Sequence, residues 1–269
     1  MSEVDAAATG QINASAAAVY EQFFVPALFG QWPERILESA GLSDGEDVLD
    51  VGCGTGILAR AAARRLDDSG SVTGIDLNDD MLRVARQSNE AVTWQLAPAE
   101  SLPCPDDSFD RVVSQFALMF FADQSAGLRE MARVTRPGGT VTVATWASIE
   151  DSPGYHAMVG LLQRLFGDEA AAALTAPFTL GTEHELAALI DPVLPGVAVT
   201  RLDGTAHFQS IEAWVHTDVR GWTLADMIDD DQYQQLLTAA TTELADFVDD
   251  EGHVSFAAPA LIATATVVT

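Results

Sequence analysis

Residues 48–60 combine a short apolar run, three glycines within five positions and a segment of helical periodicity. The run at 48–51 is typical of a buried strand, and 57–66 repeats apolar residues at the spacing of an amphipathic helix. Gly52 and Gly54 have no Cβ, so the backbone between the two elements can turn tightly and lie against a ligand. The first N–H groups of the helix lack partners within the helix and face the same place. This stretch therefore predicts a strand, a glycine turn and a helix that form a cradle for a nucleotide-like ligand.

The spacing of the glycines limits which nucleotide fits. A dinucleotide-binding turn has the pattern G-x-G-x-x-G, whereas residues 52–56 have G-x-G-x-G and follow Asp50. The next predicted strand, 71–75, leads into Asp76, which lies twenty positions after Gly56. An acid at that interval can reach a ribose from the neighbouring strand. An adenosine group is therefore predicted, without a clear pyrophosphate site.

Strand and helix patterns continue to alternate after this turn. They predict a helix at 77–86, strands at 91–96 and 110–116, a helix at 126–134 and a strand at 141–145. The turn R-P-G-G-T at 136–140 leads into the last of these strands, because only glycine turns so sharply. Alternation of this kind from 41 to 150 predicts a parallel sheet with helices on both faces.

Several motifs in this region resemble those of class I S-adenosylmethionine-dependent methyltransferases. They are the glycine turn, the acid at 76, the segment A-P-A-E-S-L-P-C-P-D-D-S-F-D at 97–110 and the R-P-G-G turn at 136–139. The resemblance covers 41–150 and is to the small-molecule branch, the ubiquinone/menaquinone-type or methyltransferase type 11 enzymes. It implies S-adenosyl-L-methionine as the cofactor. It also implies in-line SN2 transfer of the methyl group to an O, N or C atom of a small-molecule acceptor.

The resemblance implies the fold as well. It is α/β, with a Rossmann-like seven-stranded, mostly parallel sheet of order 3-2-1-4-5-7-6, strand 7 antiparallel, helices on both faces and an inserted helical cap. Strands six and seven are assigned to 197–208 and 260–268. The chain then divides into an N-terminal helical segment over the cofactor site (1–40), a cofactor-binding core (41–150), helices with strand six (151–209), a helical cap (210–257) and a final strand that completes the sheet (258–269).

The resemblance and the strand ends together indicate which residues bind the cofactor. In similar families an N-terminal segment lies over the cofactor, which would bring Tyr20, Phe24 and Trp32 near the site. It is equally consistent with the sequence that these three residues simply cover the edge of the sheet. Leu118 and Phe120 are expected in the core. The full predicted set is Asp50, Gly52, Cys53, Gly54, Thr55, Gly56, Asp76, Leu77, Met81, Ala99, Glu100, Ser114, Gln115, Phe116 and Tyr20.

One position departs from the family pattern. Relatives carry Gly-Asp where this chain has Ala97-Pro98, so the acidic side chain that would accept the adenine amino group is missing. Adenine recognition is expected to depend instead on the Ala99 N–H, on Glu100 and on apolar contact. The loss of one hydrogen bond would weaken binding by about 1–2 kcal/mol if nothing replaces it.

The sequence assigns no catalytic residue, although three side chains are candidates. Gln115 lies at the carboxyl end of the fourth predicted strand, where open α/β sheets place their reactive centre. Within 214–223, which mixes aromatic and polar groups, His216 could take a proton and Arg220 could clamp an anionic acceptor. A histidine in such a place is more often a packing or surface residue, and a base is needed only if the acceptor must lose a proton.

The two cysteines, Cys53 and Cys104, predict neither a disulfide framework nor a metal site. Neither has a neighbouring cysteine or histidine at metal-ligand spacing. Both are expected to be reduced packing residues, and no metal is predicted.

The charge balance argues against two classes of partner. The chain has 40 acidic residues against 13 basic ones, all of them arginine, for a net charge of −27. Such a charge repels phosphate backbones and anionic lipid heads, so neither nucleic acid nor a membrane is expected as a partner.

The longest apolar stretch, 116–122, is far shorter than the roughly 20 residues that cross a bilayer. Residues 1–18 contain no basic residue, so a cytoplasmic location is expected. The oligomeric state, monomer or homodimer, stays open.

Two other functions compete with methyl transfer. A nicotinamide-dependent reductase would share the strand, the glycine turn and Asp76. It predicts a G-x-G-x-x-G turn, however, and in short-chain enzymes a Y-x-x-x-K pair that a chain without lysine lacks. A protein that binds S-adenosylmethionine or S-adenosylhomocysteine without turnover, as a sensor, would account for Ala97-Pro98 and for the missing base.

Overall fold

The computed structural model describes residues 14–88, 91–221 and 223–268, and only the backbone of 14–16 and 223. Its strands are β1 (Asp47–Val51), β2 (Ser71–Asp76), β3 (Thr93–Leu96), β4 (Phe109–Gln115), β5 (Thr135–Trp146), β6 (Ala198–Leu202), β7 (Thr205–Phe208), β8 (Val254–Ala257) and β9 (Ala260–Thr266). Its α-helices are α1 (Ala14–Val19), α2 (Pro33–Ala40), α3 (Ile57–Leu66), α4 (Asp79–Ser88), α5 (Gln124–Val134), α6 (Pro153–Phe166), α7 (Asp168–Thr175), α8 (Glu183–Ile190), α9 (Ile211–Arg220) and α10 (Asp230–Glu243). The predicted segments 1–40 and 258–269 extend beyond the described residues.

A seven-stranded sheet of order β3-β2-β1-β4-β5-β9-β6 forms the centre of the molecule. Strands β1 to β5 pair in parallel, and β9 runs antiparallel between β5 and β6. Since β9 is the seventh strand of this sheet in chain order once β7 and β8 are set apart, the predicted order and the antiparallel final strand are confirmed. The carboxyl ends of β1, β2 and β4 meet at one edge, where the chain switches direction across the sheet.

The assignment of 197–208 to a single strand is wrong. The chain leaves the central sheet after Leu202, and β7 pairs with β8 in a separate two-stranded antiparallel sheet. At this break Gly204 packs closely against Trp32, since a Cβ at Gly204 would stand 2.3 Å from the Trp32 ring. Gln31 then fixes the start of β7, since its side chain donates to the carbonyl of Thr205 at 2.8 Å and accepts from the Thr205 N–H at 3.0 Å. The cap predicted as helical therefore also contains β8.

Three other element boundaries differ from the prediction for local reasons. Strand β5 begins at Thr135, and the expected tight turn at 136–139 is an irregularity within the strand, since the pairing register shifts opposite Phe109. Helix α5 begins at Gln124, because the Asp123 carboxylate accepts the Ala126 N–H. Within the cap predicted as helical over 210–257, helix α10 extends only from Asp230, after a capping box, to Glu243.

Alternate residues of the central strands face two separate cores. Val48, Val113 and Ile262 face one core, shared with α2, α3 and α6, whereas their neighbours in the strands face the other, shared with α5 and α8. This alternation follows from the two-residue period of a strand.

A π-helical segment, Tyr20–Phe29, precedes α2 on the first of these faces. The Gly30 N–H closes its last turn by donating to the Val25 carbonyl at 2.7 Å, a span of five residues. Such wide turns are rare in proteins and often occur at functional sites.

Candidate functional site

The loop that follows β1 is held by β2. The N–H groups of Gly52 and Cys53 both donate to the Ile75 carbonyl, at 2.8 and 3.0 Å. The Gly54 N–H donates to the Asp76 carboxylate at 2.7 Å. The end of β2 therefore fixes the path of the loop.

Each glycine in this loop meets a different requirement. All three have positive φ, 69° at Gly52, 54° at Gly54 and 87° at Gly56, a region that L side chains rarely adopt. A Cβ on Gly52 would lie 2.4 Å from the Ala117 Cβ, and one on Gly56 would lie 2.3 Å from the Trp94 ring. At Gly54 nothing lies within 4 Å of the same position, because the loop there borders a cavity.

Asp76 is half-buried, and backbone N–H groups bind both of its carboxylate oxygens. One carboxylate oxygen accepts the Gly54 N–H, and the other accepts the Asn78 N–H at 2.8 Å. Burial raises the pKa of Asp76, and the backbone N–H groups partly offset this rise. Asn78 in turn begins helix α4, since its side-chain oxygen accepts the N–H groups of Asp80 and Met81 at 2.9 and 3.2 Å.

Asp50 is buried more deeply, with 1% of its surface exposed. One oxygen accepts the Ala59 N–H at 3.0 Å, which ties β1 to the first turn of α3. The other oxygen is buried and has no partner among the described residues. Burial raises the pKa of Asp50 to about 8, with a contribution from the nearby Asp76 charge. A ligand with a hydrogen-bond donor would satisfy the second oxygen.

A cavity of about 140 Å³ lies at the carboxyl ends of β1, β2 and β4. Thirteen of the fifteen predicted cofactor-binding residues line it: Asp50, Gly52, Cys53, Gly54, Thr55, Asp76, Leu77, Met81, Ala99, Glu100, Gln115, Phe116 and Tyr20. The other two are exceptions. Gly56 lies under the Trp94 ring, and Ser114 is buried within β4. We refer to this space as the loop cavity.

Sequence reasoning missed several residues of the loop cavity: Ile57, Leu58, Asn78, Ala97, Ala117, Phe120, Phe121 and Ala122. Asn78 was identifiable as a polar residue just after a strand end. Leu118 is fully buried, as expected. Phe120 was expected in the core and instead lines the cavity, because a 3₁₀ turn at Leu118–Phe120 points it there.

A second cavity, of about 50 Å³, adjoins the first and shares Tyr20, Phe116 and Phe120 with it. We refer to it as the aromatic cavity. Its lining is Tyr20, Phe24, Leu28, Phe29, Phe116, Phe120, Trp146, Tyr155, Leu174, Pro177, Phe178 and Asp218. Eight of these twelve residues are aromatic, so an apolar, planar ligand is favoured here.

Phe116 is central to the wall between the two cavities. Its ring stacks on Trp146 with centroids 3.7 Å apart and lies 5.6 Å from the centroid of Phe29. Its backbone has φ of 54°, a left-handed conformation that is uncommon for a residue with a side chain. Strained residues of this kind cluster at functional sites.

The aromatic cavity contains one carboxyl group, that of Asp218. The residue is 1% exposed, and neither carboxyl oxygen has a hydrogen-bond partner among the described residues. Burial raises the pKa of Asp218 well above its usual range; the Trp214 indole N–H partly offsets this without reaching hydrogen-bond geometry. The Tyr155 hydroxyl, on α6, is also buried without a partner. Burial, and to a lesser degree the Asp218 charge, raises the pKa of Tyr155.

The structure brings one of the three catalytic candidates to the site. Gln115 lines the loop cavity, and its side-chain carbonyl oxygen is buried without a partner among the described residues. Arg220 is instead paired with Asp230 at 2.6 Å and does not line either cavity. His216 also lies outside both and packs edge-on against Phe23.

The N-terminal aromatic residues divide between site and core. Tyr20 and Phe24 line the aromatic cavity, whereas Trp32 is fully buried against Phe116 and Trp146. Trp222, within the segment that was noted for its mixed composition, lies outside the described residues.

The described residues contain neither a metal-binding cluster nor a membrane-spanning helix. No three His, Cys, Asp or Glu side chains in the described ranges lie together so as to hold a metal ion. No helix within 14–88, 91–221 or 223–268 has both the length and the apolar character needed to span a membrane.

The sequence is similar to known methyltransferases. Residues 49–143 match the family described as "Methyltransferase domain". A C-methyltransferase of ubiquinone/menaquinone biosynthesis from Cupriavidus taiwanensis is 36% identical over 148 residues, which are 51% of this chain and 61% of the relative. Its namesake from Geobacter sulfurreducens is 33% identical over 124 residues, 44% of this chain and 48% of the relative. The chain thus spans about half to three fifths of the length of these relatives.

Solved structures share the fold at low sequence identity. The YcgJ protein from Bacillus subtilis superposes with a TM-score of 0.59 at 21% identity, over 89% of this chain and 99% of the other. Phosphoethanolamine N-methyltransferase 2 from Haemonchus contortus, in complex with S-adenosyl-L-methionine, superposes with a TM-score of 0.62 at 18% identity, over 99% of this chain and 60% of the other. At these identities the likeness establishes the fold alone.

Proposed function

Because this chain carries a class I S-adenosylmethionine-dependent methyltransferase domain of the small-molecule type, we propose that it transfers a methyl group to a small molecule. The observation that supports this most is the pair of adjoining cavities. The loop cavity is lined by glycine backbone and by buried acids, and the aromatic cavity lies next to it across Tyr20, Phe116 and Phe120. One cavity fits the cofactor and the other the acceptor.

The residues of the loop cavity fit S-adenosylmethionine. The unpaired oxygen of Asp50 and the unpaired Thr55 hydroxyl are buried polar atoms that need partners from a ligand. At Gly54 the loop leaves open space where a side chain would stand. Asp76 ends the neighbouring strand, where an acid reaches ribose hydroxyls. The exposed Leu77, with 55% of its surface accessible, is available to cover an adenine face.

Adenine recognition differs from the family pattern in this proposal. Ala97 and Ala99 line the loop cavity where relatives have an acid nearby. The Glu100 carboxylate lines it as well, but one of its oxygens accepts the Asp123 N–H at 3.2 Å. Its other oxygen and the Ala99 backbone are the groups we assign to the adenine edge.

The chemistry required of the protein is mainly positioning. When bound, the cofactor supplies a sulfonium methyl group that is already activated toward nucleophiles. The acceptor atom must lie in line and about 3–3.5 Å from the methyl carbon, with water excluded. The stacked pair Phe116 and Trp146 and the neighbouring Tyr20 form an apolar wall that excludes water. Gln115, with its unpaired carbonyl oxygen, is the polar group we assign to orientation at this point.

We also propose which atom of the acceptor receives the methyl group. The sequence relatives carry the name of C-methyltransferases, which favours a carbon acceptor. The identity is modest and the relatives are covered only in part, so oxygen and nitrogen remain in the proposal. We also propose that 41–150 form the cofactor-binding core and 210–257 the substrate cap. A cytoplasmic location is part of the same proposal.

Calorimetry with S-adenosylhomocysteine tests the cofactor site. We expect Asp76→Asn to weaken binding about 10- to 100-fold, because one carboxylate oxygen that accepts a backbone N–H becomes an amide donor. The matched control is Asp79→Asn, since Asp79 is exposed and does not line the loop cavity. Equal binding by both variants and the unchanged protein would contradict the assignment.

Transfer itself is measured with labelled S-adenosylmethionine and a panel of phenols, quinols and amines. Label in any acceptor supports an enzyme. Tight cofactor binding with no transfer across the panel would instead favour the non-catalytic sensor.

A further inference from the structure

Asp218 is a buried acid that the proposed transfer reaction does not use. It lies on the inward face of α9, on the same side as Ile211, Trp214 and Val215, all of which are buried. An ionisable group on such a face is unfavourable unless something pairs with it. None of the described residues that line the aromatic cavity carries a positive charge. A ligand that enters this cavity can therefore supply the partner that the described residues do not.

The surroundings of Asp218 indicate what that ligand carries. Its carboxyl group has two unpaired oxygens, so a group with several donors satisfies it better than a single hydroxyl. The rings of Phe24, Phe178 and Tyr155 line the same cavity. Aromatic faces around an acid are the known means of binding an ammonium group, through cation–π attraction and an ion pair. The net charge of −27 also favours a cation over an anion at this site.

We propose that the aromatic cavity binds a methyl acceptor that carries an ammonium group, and that Asp218 is the residue that anchors this group. This inference rests on the proposed function and adds the substrate class. Asp218 acts as a positioning residue, because an ammonium nitrogen has no lone pair and cannot itself attack a methyl group. The atom that receives the methyl group belongs to the other end of the acceptor, toward Phe116 and Tyr20.

Proton balance follows from the burial of Asp218. Burial without a partner raises the pKa of Asp218 and so favours the protonated carboxyl group in the free protein. When an ammonium group enters, this proton leaves to solvent and a carboxylate–ammonium pair forms. The other titratable groups that line the cavity, Tyr20 and Tyr155, both have a pKa raised by burial and stay protonated. Binding at neutral pH should therefore release about one proton.

A shape-matched pair of probes tests the proposal: 2-phenylethylamine, which is an ammonium ion at pH 7, and the neutral 2-phenylethanol. Calorimetry is carried out with and without S-adenosylhomocysteine, in buffers of different ionisation enthalpy. We expect the amine to bind about tenfold or more tightly than the alcohol and to release a proton. In Asp218→Asn the preference should fall to about equal affinities and the proton release should disappear.

Two further variants keep the test decisive. Glu212→Gln removes an exposed acid from the same helix and should leave the preference unchanged. Phe178→Leu removes one ring at a partly exposed position and should reduce amine binding more than alcohol binding, even if Asp218→Asn fails to fold.

The outcomes separate this inference from the proposed function. Equal binding of amine and alcohol, or equal effects of Asp218→Asn and Glu212→Gln, would overturn the inference. If S-adenosylhomocysteine binds and the amine does not, only the inference fails. If S-adenosylhomocysteine does not bind, the proposed function fails, and the measurements without it still decide whether the cavity prefers an ammonium group.

Discussion

Single residues at the site satisfy requirements that differ even when the residue type is the same. Gly52 gives space to the 3₁₀ turn after β4, Gly54 borders the loop cavity, and Gly56 gives space to a tryptophan ring. Asp50 is buried and Asp76 is half-buried, but only Asp76 has both oxygens paired with backbone N–H groups. The residue type alone therefore does not state the role.

Gly56 allows the cost of close packing to be separated from that of a left-handed backbone. Gly56→Ala places a Cβ 2.3 Å from the Trp94 ring at φ of 87°, whereas Gly138→Ala has φ of 85° with nothing within 4 Å. We expect Gly138→Ala to lower the free energy of unfolding by about 1 kcal/mol. Gly56→Ala should lower it by about 2–4 kcal/mol, because overpacking adds to the backbone cost. Urea denaturation measures both, and equal losses would show that Trp94 moves aside freely.

Several helices carry start signals in their own sequence, and two of these signals lie away from both cavities. Thr182 and Glu185 form a capping box at the start of α8, and Asp229 and Gln232 form another at α10. Helix α8 packs Leu186 against the face of the sheet that is opposite to α2 and α3. Its stability should therefore affect folding without affecting either cavity.

Thr182→Ala tests this independence. The Thr182 hydroxyl accepts the Glu185 N–H at 3.2 Å, so its removal should lower the free energy of unfolding by about 1 kcal/mol. Thr182→Ser keeps the hydroxyl and serves as the control. Denaturation gives the stability of each, and calorimetry with S-adenosylhomocysteine should give the same affinity for all three proteins. A change in affinity would mean that α8 is coupled to the loop cavity.

The molecule as a whole contains several buried acids beneath a strongly acidic surface. Burial raises the pKa of Asp50, Asp76 and Asp218, and all three lie at the two cavities. Nearer the surface, hydrogen bonds from Ser71 and Arg136 lower the pKa of Asp47, and one from Arg133 lowers the pKa of Glu130. These two sets of acids give opposite pH dependence to the stability of the fold.

We expect the protein to become more stable as the pH falls from 8 to 6. The folded pKa of Asp50 is about 8 and its unfolded value is 3.8, so between these values the folded state binds the extra proton. The stabilisation is complete below the unfolded pKa and is lost as the pH rises through 8. Below about pH 4 the surface acids reverse the trend, since their stabilisation is lost on protonation.

Asp50→Asn isolates the contribution of one buried acid. Between pH 6 and 8 the free energy of unfolding should change by about 1–2 kcal/mol less in the variant than in the unchanged protein. Urea denaturation at each pH measures this difference. In 0.5 M salt the screening length is several-fold shorter than in dilute buffer, so interactions between surface charges are weakened. The contribution of the buried Asp50 should change much less. An identical pH dependence in variant and unchanged protein would mean that Asp50 is ionised throughout.

Local patterns in the sequence determined the core of the fold. The apolar run before Gly52, the helical spacing of Ile57–Leu66 and the acid after the second strand are each short-range signals. A strand and its following turn depend on residues a few positions apart, so the first strands and the position of the loop cavity could be predicted from local patterns. The order of the sheet was predicted only through the resemblance to a known family. The split of 197–208 could not be predicted, because it depends on Trp32, far away in the chain.

Tertiary structure alone decided the aromatic cavity. Its residues come from the π-helical segment, the end of β4 with the turn that follows, β5, α6, α7 with the turn that follows, and α9. Local patterns in the sequence do not show that these segments meet. In the structure Asp218 shares the buried face of α9 with Ile211, Trp214 and Val215. What the sequence could not state is that this face meets aromatic rings instead of a cation, because contact between distant segments is fixed only when the chain packs.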